Sequence, residues 1–167
     1  DSRARVEQLA LALRALEVPH AVIGGLAVGI HGYPRATGDV DFLVGREAGD
    51  DAEPRGLTPE VAALYQHGRV EFLLARSREP DRSVLQDALH ALQQRRLDLP
   101  VIGVRELIWL KLDTPPVRAT RDRNDIKEML RAGTVDALAV LDWLEVLDAT
   151  RAEHFAELIQ QVHAAED

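Results

Sequence analysis

The chain has 167 residues, with 20 Lys plus Arg, 28 Asp plus Glu, no cysteine and an apolar fraction of 46%. A chain of this length buries roughly 70% of its unfolded surface without a disulfide or structural metal, so we expect one domain. The lack of cysteine excludes thiolate zinc sites, iron–sulfur clusters, cysteine nucleophiles and disulfide scaffolds. The longest apolar run, Ala21 to Ile30, is too short to span a bilayer, which takes about twenty residues. No secretory signal opens the chain, and we expect a cytoplasmic protein.

The net charge of −8 is concentrated at the C-terminal end. Residues 134–167 hold eight acidic residues and one basic residue, Arg151, which leaves a net charge of −1 for residues 1–133. A protein that coats duplex DNA needs a basic face, so this class is excluded. The nearly neutral first part retains enough arginine to bind a polyanionic substrate.

Helices and strands alternate in the first part of the chain. Apolar residues at helical spacing predict a helix over Ser2–Leu16, with Ser2 as its cap. A short buried strand follows at Ala21–Ile23, and two glycines then introduce a helix over Leu26–Ile30. Asp39–Val44 alternates polar and apolar residues, which predicts a second strand.

The middle of the chain begins with an exposed connection over Arg46–Gly56, which is rich in Gly, Asp, Glu and Pro. Thr58 followed by proline starts a helix over Thr58–Tyr65. We expect a third strand over Arg69–Ala75, then a helix over Asp81–Leu92. A strand pair or one bent strand is expected over Arg95–Val104.

The last part of the chain is predicted to be helical throughout. Thr150 and Glu153 predict a capping box at the start of the final helix. The element order indicates an α/β body, residues 1–133, with an acidic helical C-terminal extension, residues 134–167, packed on the same domain. The expected helices are Arg105–Leu112, Asp122–Arg131, Val135–Leu147 and Arg151–Ala164.

Three carboxylates carry the chemical hypothesis. Asp39 and Asp41 are two apart on a strand, so both side chains leave the face opposite Val40 and Phe42. Two like charges this close are unfavourable without a cation, and oxygen ligands of this type suit Mg²⁺ or Mn²⁺. Glu71 repeats the pattern on the next strand, so three carboxylates converge if the two strands are neighbours. Such a cluster is typical of two-metal phosphoryl transfer.

A phosphate cradle is the second requirement of that chemistry. Gly24 and Gly25 supply backbone N–H groups without side chains at the start of a helix, where the dipole favours anions. Arg35 and Thr37, in the loop before Asp39, either fix a base or a phosphate or simply order the loop.

The segment AVIGGLAVGIHGYPRATGDVDFLV, Ala21 to Val44, resembles the signature of the DNA polymerase beta-like nucleotidyltransferase superfamily. Its HGYPRAT loop is similar to that of small prokaryotic nucleotidyltransferases related to the AbiEii toxins. Further pieces follow in the family's order: LTPE at Leu57, VEFLL at Val70, RELIWLKL at Arg105 and RDRND at Arg121. The resemblance covers Pro19 to Leu130.

The resemblance implies a small mixed, mostly antiparallel sheet flanked by helices, and a nucleotidyltransferase that moves NMP from an NTP to an acceptor hydroxyl with release of pyrophosphate. The acceptor would be a tRNA or a protein, and the chain would be a toxin with a cognate antitoxin protein. Asp39, Asp41 and Glu71 would bind Mg²⁺ or Mn²⁺ and act catalytically, with Glu71 as a possible base. Gly24, Gly25, Arg35, Thr37 and Lys111 would hold the nucleotide, and Arg121, Asp122 and Asp125 match a basic-acidic-x-x-acidic element.

Two positions depart from the family pattern, since Gly25 stands where serine is usual and Glu71 where Asp is commoner. A non-catalytic nucleotide-binding or antitoxin-like module of the same fold is therefore kept as the alternative function. A two-metal nuclease is a third hypothesis, although a nuclease does not need a phosphate cradle. Individual residues also have a structural alternative. Lys111 would only extend its ammonium group to water, and Asp122 and Asp125 would form surface ion pairs.

Overall fold

The computed structural model describes residues 2–45, 70–74 and 81–165. The connection and helix predicted over residues 46–65 lie outside the described residues, as does the LTPE piece at Leu57. The first elements are α1 (Ser2–Ala15), β1 (His20–Ile23), α2 (Gly24–Ile30), β2 (Val40–Val44) and β3 (Val70–Leu74). They are followed by α3 (Asp81–Gln94), α4 (Val104–Leu112), α5 (Pro116–Arg131), α6 (Ala137–Leu147) and α7 (Ala149–Ala164).

The described strands form one sheet in the order β1-β2-β3. β1 and β2 are antiparallel, whereas β2 and β3 are parallel. The protein is thus a mixed α/β protein, as predicted, and most of its described elements are helices. The described sheet has one antiparallel and one parallel pair, so it is mixed without being mostly antiparallel.

The strand expected over Arg95–Val104 was wrong. The chain turns after α3 and makes a single parallel bridge, between Val101 and Val22. The Pro100 carbonyl accepts from the N–H of Val22, and the N–H of Ile102 donates to the Val22 carbonyl. The pairing ends there because Pro100 has no N–H to extend it and α4 begins at Val104.

The starts of α5 and α7 also differ from the prediction, each for a local reason. α5 begins at Pro116, six residues before the expected Asp122, because proline at the first helical position supports a helix start. α7 is capped by Asp148, whose carboxylate accepts from the N–H of Arg151 at 3.0 Å. The predicted capping box of Thr150 and Glu153 was therefore wrong, because Thr150 already lies inside the helix.

The chain divides into two units by its internal contacts. Unit 1 comprises Asp1–Ala27 and Ala36–Ile102, and unit 2 comprises Val28–Arg35 and Gly103–Asp167. In unit 1 the buried stripe of α1 packs on the sheet face that carries Val22 and Phe42. Each large apolar side chain buried in this way contributes about 1.5–3 kcal/mol.

In unit 2, α6 and α7 pack on each other, and α7 also packs on α4 and α5. The predicted boundary between residues 133 and 134 lies inside this unit, and the two-part division predicted from the sequence stays a prediction. Within the described ranges, none of the helices combines the length and apolar character needed to cross a membrane.

Candidate functional site

One row of register partners crosses the sheet of unit 1 and contains two of the predicted carboxylate residues. Ile23 of β1 is paired with Asp41 of β2, and Asp41 is paired with Glu71 of β3. β2 and β3 are thus the neighbours that the carboxylate hypothesis requires, with backbones about 4.8 Å apart. The side chain of Glu71 lies outside the described part, so the convergence of three carboxylates stays a prediction.

The glycine turn begins where this row ends. Gly24 follows Ile23 directly and has φ +66°, a conformation that glycine adopts without strain. A Cβ at this position would lie 1.9 Å from Oδ2 of Asp41 and 2.8 Å from its Cγ. The carboxylate of Asp41 therefore packs against the backbone of Gly24, and only glycine leaves room for it. Gly25, the second glycine of the turn, is buried.

The two aspartates of the DVD sequence have different surroundings. Val40 and Phe42 are 3% and 0% exposed, as the predicted alternation requires. Asp41 is half-buried in β2, whereas Asp39 is exposed and lies just before the strand. The Oγ1 of Thr37 donates to the carbonyl of Asp39 at 3.2 Å, a contact that orders the loop.

Arg35 and Lys111 belong to unit 2, where they share a carboxylate. The guanidinium of Arg35 donates from Nε and Nη2 to the two oxygens of Asp125, at 2.8 and 2.9 Å. The Nζ of Lys111 donates to Asp125 at 2.8 Å and to Asp122 at 2.6 Å. We call these four residues the unit 2 charge cluster. It contains two cations and two carboxylates, so its charges balance.

Because its side chains are buried, the unit 2 charge cluster should contribute to the stability of the fold. Asp125 is 1% exposed and Lys111 is 7% exposed. Burial alone would raise the pKa of Asp125, but the hydrogen bonds from Arg35 and Lys111 outweigh it and hold the pKa below its usual value. The bond to Asp125 likewise raises the pKa of Arg35. Removing one member of such a network leaves an uncompensated buried charge, which is strongly destabilising.

The surface-pair interpretation of Asp122 and Asp125 is wrong, because both are buried. The signal for their position was present in the sequence. Asp122, Asp125, Ile126 and Met129 follow one another at the spacing of a single helix face, and all four are buried. An acid on the apolar stripe of a helix indicates a buried cation, here Lys111 and Arg35.

The loop before β2 is anchored within unit 2 at further points. The N–H of Tyr33 donates to the carbonyl of Val28 at 3.1 Å. The hydroxyl of Thr134 donates to the carbonyl of His31. Together with Arg35 these bonds order residues 31–35, which is the structural alternative considered for Arg35. Its role and that of Lys111 in nucleotide binding stay predictions.

An aromatic and arginine stack in unit 2 had no counterpart in the sequence analysis. The guanidinium of Arg151 lies 3.9 Å from the ring centroid of Trp109, and Trp109 packs edge-on against Trp143. Arg151 also forms ion pairs with Asp148 and Asp113. The stack joins α7 to α4 and serves packing.

The row in unit 1 provides some of the oxygen ligands that a divalent cation needs. Asp41 offers a carboxylate against a glycine backbone, and Asp39 lies two residues before it. Among the side chains that the structure describes, no three His, Cys, Asp or Glu groups form a cluster suited to a metal ion. The metal site predicted from the sequence also needs the side chain of Glu71, which is outside that set.

No family model matches the chain, and no curated protein is significantly similar to it.

Proposed function

We propose that the protein is a metal-dependent nucleotidyltransferase that moves NMP from an NTP to an acceptor hydroxyl and releases pyrophosphate. The observation that carries the proposal is the row formed by Asp41 and Glu71, with Gly24 packed against the Asp41 carboxylate. Acidic residues in register supply the cation ligands that phosphate transfer needs, and they lie next to a glycine whose missing side chain leaves room for the Asp41 carboxylate.

In this proposal Asp39, Asp41 and Glu71 hold Mg²⁺ or Mn²⁺. The bound cation would neutralise phosphate charge and increase the acidity of the acceptor hydroxyl. Gly24, which is half-buried and has no side chain, is proposed to hold the triphosphate through its backbone, together with the buried Gly25. Arg35, Thr37 and Lys111 are proposed to contribute to nucleotide binding.

The acceptor is proposed to be a tRNA or a protein, and the setting a cytoplasmic toxin–antitoxin pair. These proposals come from the resemblance of residues 19–130 to AbiEii-related enzymes. The balanced charge of residues 1–133 is compatible with an RNA acceptor that approaches a cation-loaded site.

The decisive experiment measures transfer of radiolabel from α-labelled NTPs to total tRNA, or to the protein itself, in the presence of Mg²⁺. Asp41→Asn preserves the shape of the side chain and removes its charge, so we expect transfer to fall at least about 100-fold. Asp87→Asn, an exposed carboxylate on α3, is the matched control and should retain full activity. Equal label transfer by the wild type and Asp41→Asn would exclude this site as the catalytic centre.

A non-catalytic nucleotide-binding or antitoxin-like module is the second candidate, and one observation favours its antitoxin-like form. The predicted phosphate lysine, Lys111, is already neutralised by Asp122 and Asp125. Calorimetric titration with NTP and Mg²⁺ separates the candidates. Binding that is unaffected by Asp39→Ala, with no label transfer to any acceptor, supports the module. Metal-dependent binding that Asp39→Ala abolishes supports the enzyme.

A further inference from the structure

Unit 1 contains a buried histidine that the proposed transfer chemistry does not use. His20 is the first residue of β1 and is 2% exposed. Its ring packs edge-on against the ring of Phe42 on β2, with the centroids 6.0 Å apart. It lies at the opposite end of β1 from Gly24. A titratable ring in such surroundings is stable when it is neutral, and costly when it is charged without compensation.

The two ring nitrogens of His20 have different surroundings. Nδ1 lies 2.8 Å from the carbonyl oxygen of Val18, and because a carbonyl only accepts, Nδ1 carries the proton and donates. Nε2 has less than 1 Å² of accessible surface and no hydrogen-bond partner among the described residues. A proton on Nε2 would therefore place an N–H donor and a positive charge where neither water nor an acceptor reaches them.

The charged groups around His20 do not compensate a second proton. Arg14 of α1 acts on the ring through its positive charge, which opposes protonation, and it is itself paired with Asp98 at 3.2 Å. Glu17 and Arg96 are exposed and line a cavity that His20 also lines, and their charges have opposite signs. In the described part of the chain, Glu17 forms no ion pair with the ring.

The other elements packed on β1 bring no charge to the ring. The charged residue of β2 is Asp41, which is paired with Ile23, three residues beyond His20 and roughly 10 Å away at the rise of a strand. From α3, the uncharged Leu92 and Gln93 line the same cavity. The positive charge that protonation would add to the ring is thus left without a neighbouring carboxylate in these elements.

The start of β1 is also a place where the sheet opens easily. Among the described residues, β1 pairs with β2 along its four residues, and its other edge makes a single bridge, between Val22 and Val101. His20 is the first residue of this short ladder. The ends of such ladders open locally at a lower free energy than the whole domain. Local opening is sufficient to bring the ring of His20 into water.

Folding and protonation of His20 are therefore coupled. Burial is the main cause that lowers the pKa of His20 below its usual 6.5, and Arg14 lowers it further, against the effect of the Val18 carbonyl. The open chain thus binds a proton at higher pH than the closed one. The stability that depends on neutral His20 is complete above the unfolded pKa of about 6.5 and is lost as the pH falls towards the folded pKa.

We propose that His20 is an acid-sensitive element of unit 1, in which uptake of a proton by Nε2 at mildly acidic pH releases the start of β1 from the sheet. The proton comes from the solvent, and its loss at neutral pH restores the strand. This pH response is independent of the proposed transferase activity.

The test compares the wild type with His20→Asn, whose side-chain amide keeps a donor for the Val18 carbonyl and does not titrate. Urea unfolding between about pH 7 and pH 5.5 should show that the unfolding equilibrium constant of the wild type rises at least about fivefold more than that of the variant. His90→Asn removes an exposed histidine of α3 and is the control, which should retain the pH dependence of the wild type. Equal pH dependence of the wild type and His20→Asn overturns the proposal.

Two NMR measurements on the wild type add a test that does not depend on whether the variant folds. The ring of His20 should titrate below pH 6.5, and a ring that titrates at or above this value overturns the proposal. The amide of Val22, which donates to the Pro100 carbonyl at 2.8 Å, should lose protection against hydrogen exchange over the same pH interval. Unchanged protection of this amide contradicts the release of β1.

Discussion

The row of unit 1 and the charge cluster of unit 2 use the same residue types in opposite ways. In unit 1 the Asp41 carboxylate is half-buried against the backbone of Gly24, in register with a second acid. In unit 2 the carboxylate of Asp125 is almost fully buried and accepts bonds from two cations. The arrangement in unit 1 depends on a glycine that leaves space for a carboxylate. The arrangement in unit 2 depends on opposite charges that balance. We therefore expect substitutions in unit 2 to change stability, and charge substitutions in unit 1 to change function.

The largest stability effect is expected in unit 2. Asp125→Ala leaves Arg35 and Lys111 without the carboxylate they share, and the free energy of unfolding should fall by about 3–5 kcal/mol. Urea unfolding followed by circular dichroism measures this change. Asp142→Ala removes an exposed acid of α6 and is the control, with an expected change within about 0.5 kcal/mol. A loss below about 1 kcal/mol for Asp125→Ala would show that the cluster is not a stabilising network.

A smaller effect is expected at the glycine turn of unit 1. Gly24→Ala adds backbone strain at φ +66° and a Cβ that collides with the Asp41 carboxylate. Together these should cost about 2–3 kcal/mol of unfolding free energy. Gly133→Ala is the matched control, because its φ is +72° and no atom lies within 4 Å of the added Cβ. That variant should lose only about 1 kcal/mol, from strain alone. Equal losses in the two variants would mean that Asp41 moves aside without cost.

The sequence predicted the row of unit 1 better than it predicted the cluster of unit 2. The alternation around Asp41 and the glycines after β1 are local patterns, and local patterns determine which face of a strand is buried. Arg35 and Asp125 are 90 residues apart, so no local pattern predicts that they pair. The apolar stripe of α5 does show that Asp125 is buried, but not which cation meets it.

The same distinction between local and tertiary effects explains the errors in the fold. The apolar segment around Pro100 looks like a strand locally, but its only described sheet contact is the bridge at Val22. Pro116 and Asp148 are local helix signals, and they outweigh the later residues at which the sequence pattern predicts helix starts. His20 precedes the strand predicted over Ala21–Ile23 but lies inside β1, where tertiary packing leaves its Nε2 without a hydrogen-bond partner among the described residues.

Acidification below about pH 4 should produce the smallest effect, and it separates the contribution of the Asp125 charge from that of the shape of its side chain. Because the folded state holds the pKa of Asp125 below its usual value, the unfolded chain binds a proton at higher pH than the folded protein does. Its stabilising contribution is therefore complete above the unfolded pKa of about 3.9 and is lost as the pH falls further, through the folded pKa. A neutral Asp125 carboxyl no longer balances the positive charges of Arg35 and Lys111. Asp125→Asn keeps the shape of the side chain but does not titrate, and its stability should fall less steeply with pH below about 4 than that of the wild type. Parallel slopes for the two proteins in urea unfolding between neutral and acid pH would show that Asp125 has the same pKa in the folded and unfolded states.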